Sequence, residues 1–189
     1  MSELSDQSDR CIAIIPARGG SKRIPRKNIK TFAGKPLISY PITEALNSGL
    51  FDRVIVSTDD PEIEKIAKAY GAEVPIMRPS TLADDHTGTG EVVNHMMEWL
   101  ESQGEDYSYY CTLYATAPLL QAKYLRRGLK LLKESDDAIS AISVTSMPFP
   151  VHRTFEITTE NRLKMFWPEH FSTRSQDLPE AYQDAGQFY

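Results

Sequence analysis

The sequence predicts an α/β protein with a doubly wound, mostly parallel sheet of the Rossmann-like type, and three patterns support this prediction. Short apolar runs, typical of strands buried on both faces, alternate with segments of helical periodicity. Glycine and proline residues mark the boundaries between them, at the spacing of β–α–β units. The alternation stops near residue 145, after which aromatic residues are frequent. We therefore expect one α/β domain over 11–145.

The first half of this domain alternates three strands with two helices. Apolar runs predict its strands at 11–15, 53–57 and 74–77. Pro36, suited to the first helical position, and Gly49, suited to the left-handed position after a helix, bound the first helix. Asp60 is expected to cap the second helix, and Gly71 to close it.

The second half continues the alternation. A helix is expected over 90–102, because its apolar residues fall on one stripe. A strand at 109–114, a basic amphipathic helix at 121–134 and a strand at 138–145 follow. Ligands of such sheets bind at the carboxyl ends of the strands.

The two ends of the chain are predicted to lie outside this pattern. Residues 1–10 are polar and acidic and indicate a disordered tail. Residues 146–175 are predicted to form an excursion with a hairpin turning at 159–161, serving as a lid or in dimerisation. The segment 176–189 should then return to the α/β domain.

Composition limits the functional class. The net charge of −5 argues against a nucleic-acid-binding surface. The tail has no apolar core typical of a signal peptide, and no apolar run approaches the length of a membrane span. Cys11 and Cys111 are too few for a disulfide framework, so we expect a protein of the reducing cytoplasm. Because no apolar run is long enough to span a membrane, we expect no membrane partner.

The strongest chemical signal is the basic loop, residues 16–28, with the sequence PARGGSKRIPRKN. Gly19 and Gly20 would let the backbone approach a ligand closely, and Ser21 adds a hydroxyl group. Clustered cations repel one another unless an anion neutralises them, and the loop brings together Arg18, Lys22 and Lys27. The loop matches neither the GxxxxGK[ST] nor the GxGxxG pattern. It predicts a polyphosphate site, with a solvated basic loop as the alternative.

The basic loop, the helix start at 34–36 (GKP), and the segments 54–59 (VIVSTD), 78–79 (RP) and 82–85 (LADD) together resemble the acylneuraminate cytidylyltransferases. These enzymes are the CMP–sialic acid synthetases and their relatives, and the similarity extends from about residue 11 to the end of the chain. The resemblance implies the nucleotide-diphospho-sugar transferase fold, with the basic loop around the phosphates of CTP. Catalytic roles are then implied for Arg18, Lys22 and Lys27. Nucleotide binding is implied for Ala17, Gly19, Gly20, Ser21, Asn28, Arg78 and Thr89.

One branch of the family matches further. The segments 114–119 (YATAPL), 165–169 (MFWPE), 173–178 (TRSQDL) and 184–189 (DAGQFY) resemble pseudaminic acid cytidylyltransferases. Tyr114 and Leu120 stand where the sialic-acid enzymes carry Gln and Arg. The resemblance implies a nonulosonic acid substrate, most simply pseudaminic acid, with N-acetylneuraminic and legionaminic acids as alternatives. Its candidate ligands are Tyr114, Arg174, Gln176, Asp177, Asp184 and Tyr189.

The resemblance also implies a catalytic Mg²⁺. In the family its ligands are an Asp-x-Asp pair on a strand that follows the Gly-x-x-Tyr segment, and this sequence ends at Tyr189. We therefore expect the chain to be truncated relative to the family. Asp59 is the candidate metal ligand within the chain, whereas Asp60 is more simply a helix cap.

The implied reaction transfers CMP from CTP to the anomeric oxygen of the sugar and releases pyrophosphate. Two other functions remain open: a non-catalytic nucleotide-binding module, and a nucleotidyltransferase that acts on a sugar phosphate. A homodimer that exchanges 146–175 between subunits is expected, because the aromatic residues of this segment would otherwise be exposed.

Overall fold

The computed structural model describes residues 9–84 and 87–189. Its strands are β1 (Cys11–Pro16), β2 (Thr31–Phe32), β3 (Lys35–Pro36), β4 (Arg53–Ser57), β5 (Tyr109–Thr112), β6 (Val144–Ser146), β7 (Phe155–Ile157), β8 (Leu163–Met165) and β9 (Tyr182–Asp184). Its α-helices are α1 (Ser39–Ser48), α2 (Pro61–Ala69), α3 (Thr89–Ser102) and α4 (Ala122–Lys133). Short 3-10 helices span Lys27–Ile29, Ser80–Leu82, Val151–Arg153, Pro168–His170 and Ser175–Asp177. These elements form two compact units, the second being Ser143–Ala185.

The first unit is built on a parallel sheet with the strand order β4-β1-β5. The central strand β1 is buried on both faces, as its continuous apolar sequence predicts. Ile14 lies opposite Ile55 of β4 and Thr112 of β5. The predicted α/β class with a parallel central sheet is confirmed.

Alternate side chains of β1 enter two apolar clusters, one on each face of the sheet. Ala13 and Ile15 belong to the cluster that contains residues of α1, α2 and α4. Ile12 and Ile14 belong to the cluster that contains Met96 of α3. Burying each of these isoleucine side chains stabilises the fold by about 1.5–3 kcal/mol. The sheet is therefore covered by helices on both faces, which fixes the positions of the loops at its carboxyl edge.

Local chemistry determines the helix ends that the sequence predicts. Gly49 closes α1 with φ of 67°, a left-handed conformation that glycine adopts without strain. Asp60 caps α2 by accepting hydrogen bonds from the N–H groups of Glu62 and Ile63, at 2.9 and 3.1 Å. Both predictions are confirmed. Helix α1 begins at Ser39 rather than Pro36, because residues 35–36 pair with 31–32 as antiparallel strands.

One predicted strand is absent, and another is shorter than predicted. Residues 74–77 form no strand, and only Glu73 bridges to Ile55 of β4. Pro75 lacks the N–H group that a ladder requires there. Residues 138–143 also lie outside the strands, and only 144–146 pair, with β9.

The second unit consists of two antiparallel pairs, β6 with β9 and β7 with β8. The predicted hairpin is present, with Ile157 opposite Leu163 and Asn161 at a left-handed φ of 58° in the turn. This unit is longer than the predicted excursion, because the pairing of β6 with β9 holds 182–184 within it. Only Gly186–Tyr189 return to the first unit, where Phe188 bridges to Leu113 after β5.

Asp9 and Arg10, directly before β1, make specific contacts. Residues 1–8 of the predicted tail lie outside the described residues. Asp9 pairs with Lys133 at 3.0 Å, and the Arg10 guanidinium lies 4.2 Å from the Tyr107 ring centre, so the predicted disordered tail does not include these two residues. Among the residues described, no helix is long and apolar enough to cross a membrane.

Candidate active site

A cleft of about 250 Å³ opens beyond the carboxyl ends of β1 and β5. Its position is that of the ligand site in open α/β sheets. Residues from the basic loop, from the stretch leading into α3 and from the turn after β5 line it. The lining consists of Pro16, Arg18, Ser21, Lys27, Asn28, Arg78, Thr87, Thr89, Val92, Tyr114, Ala115 and Thr116.

The cleft brings together seven of the residues to which the sequence assigns a ligand-binding role: Arg18, Ser21, Lys27, Asn28, Arg78, Thr89 and Tyr114. Three of them are cations, and the described part of the lining includes no carboxylate. The N-terminus of α3 adds its partial positive charge, since Thr89 and Val92 also line the cleft. The electrostatics of the cleft therefore favour a ligand that carries several negative charges.

Hydrogen bonds hold Arg18 between two segments. The Asn28 side chain donates to the Arg18 carbonyl oxygen at 2.9 Å, and the Arg18 guanidinium donates to the Asp84 carbonyl oxygen at 2.6 Å. Asp84 in turn accepts hydrogen bonds from the backbone and hydroxyl groups of Thr87, at 2.7 and 2.8 Å. The basic loop is thus connected to the segment that precedes α3.

Arg78 is a buried cation, with 6% of its surface exposed. Its guanidinium donates to the Ser57 hydroxyl at 3.2 Å and to the Ser57 carbonyl oxygen. Desolvation lowers the pKa of Arg78, the Asp59 carboxylate opposes that shift, and repulsion from Arg18 adds to it. Arg78 and Arg18 are therefore close enough to repel each other, and an anion between them would remove this repulsion.

The two glycines of the basic loop differ in their surroundings. A Cβ atom added to Gly19 would lie 2.5 Å from Oδ2 of Asp60, whereas one added to Gly20 would meet nothing within 4 Å. The Gly19 N–H group donates to Oδ1 of Asp59 at 2.9 Å. Asp60 thus occupies the space beside the Gly19 Cα atom, so a side chain would not fit there, and a role of Gly19 in ligand binding stays a prediction.

The other loop residues with a predicted role do not line the cleft. Ala17 is completely buried, and its N–H group donates to the Ser57 carbonyl oxygen at 2.9 Å, so it fixes the loop to β4. Lys22 and Gly20 are exposed. A role for these two residues stays a prediction that depends on movement of the loop toward a ligand.

The structure divides the predicted sugar ligands between the two units. In the first unit the rings of Tyr114 and Tyr189 meet edge to face, with centres 5.6 Å apart. In the second unit Arg174 binds the Asp177 carboxylate through two hydrogen bonds, of 2.6 and 3.1 Å. Gln176 and Asp184 are exposed there.

Asp59 is the candidate metal ligand at the end of β4. Mg²⁺ is commonly held by one or two carboxylates together with the phosphates of a substrate. Asp59 fits this pattern as a single carboxylate beside the basic loop, where the phosphates are expected, since one of its oxygens accepts the Gly19 N–H group. Asp60 does not, since its oxygens bind Arg26 and the N-terminus of α2. Within 9–84 and 87–189, no three His, Cys, Asp or Glu side chains form a metal-binding group.

Sequence reasoning missed five lining residues: Pro16, Thr87, Val92, Ala115 and Thr116. Ala115 and Thr116 lie in the segment YATAPL, so its position after a buried strand was an available signal. Thr87 and Val92 carry no such signal, because their place in the cleft depends on how α3 packs on the sheet.

Comparison with known proteins agrees with this geometry. The sequence model of the family described as "Cytidylyltransferase" matches residues 12–189. A pseudaminic acid cytidylyltransferase of Campylobacter jejuni is 47% identical over 178 residues, which cover 94% of this chain and 76% of that protein. A CMP-N,N'-diacetyllegionaminic acid synthase of Legionella pneumophila is 33% identical over 138 residues, or 73% of this chain and 60% of that protein.

The fold also matches solved structures. A CMP:2-keto-3-deoxy-manno-octonic acid synthetase complexed with CTP superposes with a TM-score of 0.68 at 22% identity, over 95% of this chain and 73% of that one. At this identity the likeness concerns the fold alone. The family match over nearly the whole chain shows that the protein belongs to the cytidylyltransferase family.

Proposed function

We propose that this protein binds CTP in the cleft and transfers CMP to the anomeric oxygen of a nine-carbon acidic sugar, pseudaminic acid. The observation that carries the proposal is the gathering of Arg18, Lys27 and Arg78 in one cleft at the carboxyl edge of the sheet. Family membership and the relatives named for pseudaminic acid support the choice of donor and acceptor.

The cations have a direct role in the proposed reaction. The anomeric hydroxyl oxygen forms a bond to the α-phosphorus of CTP, and the bond from that phosphorus to the oxygen that bridges it to the β-phosphorus breaks. Pyrophosphate leaves, and the hydroxyl proton passes to solvent. Such in-line displacement depends mainly on positioning and charge neutralisation. Arg18 and Lys27 would neutralise the charge that develops on the leaving pyrophosphate, and Lys22 would join them if the loop moves.

A Mg²⁺ ion, when bound, would supply further charge neutralisation at the phosphates. Asp59 is the residue that would hold it, together with oxygens of the substrate. Asn28, Arg78 and Thr89 would hold the nucleoside, since they line the same cleft.

The acceptor carboxylate requires a cation of its own, and Arg174 is our candidate. Its bidentate bond to Asp177 is the geometry that a guanidinium makes with a carboxylate. Both side chains are exposed, so a sugar carboxylate can replace Asp177. Roles in sugar binding for Tyr114 and Tyr189 of the first unit, and for Gln176, Asp177 and Asp184 of the second, stay predictions of the family resemblance.

The test is a pyrophosphate-release assay with CTP, Mg²⁺ and pseudaminic acid, with mass spectrometry of the CMP-sugar. We expect turnover with pseudaminic acid to exceed turnover with N-acetylneuraminic or legionaminic acid. Binding of CTP without turnover would identify a nucleotide-binding module instead. A preference for UTP or a purine triphosphate with a phosphorylated sugar would identify a sugar-phosphate nucleotidyltransferase.

The second unit supports the proposal that the protein is a homodimer. No residue within Ser143–Ala185 is buried, and Ile157 and Leu163, which face each other across the hairpin, are 72% and 70% exposed. A segment of this size without a core usually needs further stabilisation, such as oligomerisation. A second copy of the chain would bury these apolar side chains.

Light scattering after size exclusion tests the dimer. The double variant Ile157→Asp, Leu163→Asp should be monomeric, while Thr159→Asp, in the exposed turn of the same hairpin, should remain dimeric. A monomeric wild-type protein would refute the dimer without affecting the proposed reaction.

We place the reaction in the cytoplasm, and the cysteines agree with a reducing compartment. Cys11 and Cys111 are both free, on neighbouring strands of the sheet. Burial raises the pKa of Cys111 to about 12, so its thiol is protonated and unreactive.

A further inference from the structure

The basic loop contains a cation that the cleft does not use. Arg26 lies between Pro25 and Lys27, yet it is absent from the lining, whereas Lys27 and Asn28 belong to it. Its guanidinium contacts carboxylates of the protein itself. It binds both oxygens of Asp60, one of them at 3.0 Å, and it also binds Glu62.

Asp60 joins three features of the fold. It caps α2 through the N–H groups of Glu62 and Ile63, and it binds Arg26. Its carboxyl group also fills the space beside Gly19, where a Cβ atom would lie 2.5 Å from Oδ2. Only 14% of the Asp60 side chain is exposed, so these contacts are only partly screened by solvent.

Asp59 and Asp60 therefore fasten the basic loop at two points. Asp59 accepts the Gly19 N–H group near the beginning of the loop, and Asp60 holds Arg26 near its end. Both carboxylates follow directly after β4, a strand whose residues are buried from Val54 to Ser57. A buried strand thus positions both attachment points.

The backbone of Arg26 places this contact next to the cleft residues. Arg26 adopts a left-handed conformation, with φ of 55° and ψ of 31°, and its carbonyl oxygen accepts the Ile29 N–H group at 3.1 Å. This turn sets the direction in which Lys27 and Asn28 leave the loop. A left-handed conformation is unfavourable by about 1 kcal/mol for a residue other than glycine, so surrounding contacts must maintain it.

We propose that the Arg26–Asp60 pair is a positioning device for nucleotide binding, which holds the basic loop in the conformation that presents Lys27 and Asn28 to the phosphates. This inference rests on the proposed function, since it takes CTP as the ligand of the cleft. In it Arg26 contacts no phosphate, although it stands in the same cluster of cations as Arg18 and Lys27.

The alternative, in which Arg26 binds phosphate, predicts the opposite change in CTP affinity. If Arg26 bound phosphate, removal of the Asp60 charge would release its guanidinium and tighten CTP binding. If Arg26 is a positioning residue, the same removal loosens the loop and weakens CTP binding. The substitution Asp60→Asn separates the two, because asparagine caps helices as well as aspartate does.

The experiment compares Asp60→Asn with Glu64→Gln, which removes a charge from the same first turn of α2 at a residue that pairs with Lys68. Calorimetry measures the dissociation constant of CTP, and amide hydrogen exchange reports the order of residues 19–28 without any ligand. We expect Asp60→Asn to weaken CTP binding about tenfold and to speed exchange in the loop. Glu64→Gln should change neither quantity.

Three further variants keep the test independent of folding defects. Arg26→Gly removes the ion pair, and glycine adopts the left-handed backbone without strain. Arg26→Lys keeps the charge but not the two-point geometry, and should also be impaired. The double variant Arg26→Gly, Asp60→Asn should be no weaker than the worse single variant, since the two residues act as one unit.

Several results would overturn the inference: tighter or unchanged CTP binding in Asp60→Asn, unaltered hydrogen exchange in 19–28, or full recovery in Arg26→Lys. A wild-type protein that binds no CTP would refute the proposed function. The exchange rates would still show whether the Arg26–Asp60 pair orders the loop.

Discussion

The Asn28 side-chain amide donates a hydrogen bond to the Arg18 carbonyl oxygen, 2.9 Å away. This hydrogen bond joins the beginning and the end of the basic loop, and both residues line the cleft. Asn28 is buried, so water cannot easily replace this hydrogen bond if the amide is lost. The orientation of Arg18 therefore depends on an amide group ten residues later in the chain.

Replacement of that amide by a carboxylate should weaken CTP binding. In Asn28→Asp, a carboxylate oxygen would face a carbonyl oxygen, and a negative charge would enter a cleft that attracts phosphates. The lost contact amounts to about 2 kcal/mol, or roughly thirtyfold in the dissociation constant. Calorimetry with CTP measures it, with Asn47→Asp on the exposed surface of α1 as the control. Equal affinity of the two variants would contradict the prediction.

Lys27 should contribute to turnover as well as to binding. Loss of one preorganised charge at a developing anion lowers kcat by about a hundredfold, and we expect this of Lys27→Ala. Lys30→Ala, at an exposed position just after the loop, provides the control for pyrophosphate release. The family resemblance implies a catalytic role for Lys22 as well, so we expect a similar loss of kcat in Lys22→Ala. Arg23→Ala is the control for this variant. Normal turnover of Lys27→Ala would remove it from the catalytic groups.

The two glycines of the basic loop should respond differently to a methyl group. Gly19→Ala would place Cβ within 2.5 Å of Asp60, so we expect a lower unfolding temperature and weaker CTP binding. Gly20→Ala meets nothing in the protein and should leave the unfolding temperature unchanged. A loss of CTP affinity in Gly20→Ala alone would indicate that the phosphates approach its backbone. A Gly19→Ala protein as stable as wild type would contradict the packing described here.

The Asp60 carboxylate should make stability depend on pH in the acid range. Its hydrogen bond to Arg26, helped by the N–H groups of α2, lowers the pKa of Asp60 in the folded protein despite desolvation. A depressed pKa contributes stability above the unfolded value of about 3.9, and this contribution is lost as the pH falls through the folded value. The difference in unfolding temperature between wild type and Asp60→Asn should therefore be constant near neutral pH and shrink in acid. A difference that does not vary with pH would argue against the ion pair.

Local sequence predicted the features that single residues determine. Gly49 ends α1 through its left-handed backbone, and Asp60 begins α2 through its side-chain hydrogen bonds. Both residue types are typical of these positions, so the sequence alone predicts them. The grouping of Arg18, Lys27 and Tyr114 follows from the rule that strands of a parallel sheet end at the same edge.

Other features depend on contacts between distant residues. The space beside Gly19 is taken by Asp60, and nothing in the loop sequence indicates it. The apolar residues of 138–145 predicted a strand, but a strand requires a neighbour, and only 144–146 have one. Ile139, before these residues, is 97% exposed. The resemblance implies that Arg174 binds a sugar carboxylate, and in the structure Arg174 binds the carboxylate of Asp177. Its role in sugar binding stays a prediction.

The order of the strands has a consequence for biosynthesis. Strand β1 is made before both of its partners but lies between them in the sheet, and these partners follow about 40 and 100 residues later. At ribosomal rates β4 follows β1 after roughly 2–8 s and β5 after roughly 5–20 s, and until then the corresponding edge of β1 has no strand to pair with. Slow pairing of distant segments exposes such chains to aggregation. Asp59 and Asp60, which hold the basic loop, follow β4 in the chain. The basic loop therefore takes its final conformation only after β4 has joined the nascent sheet.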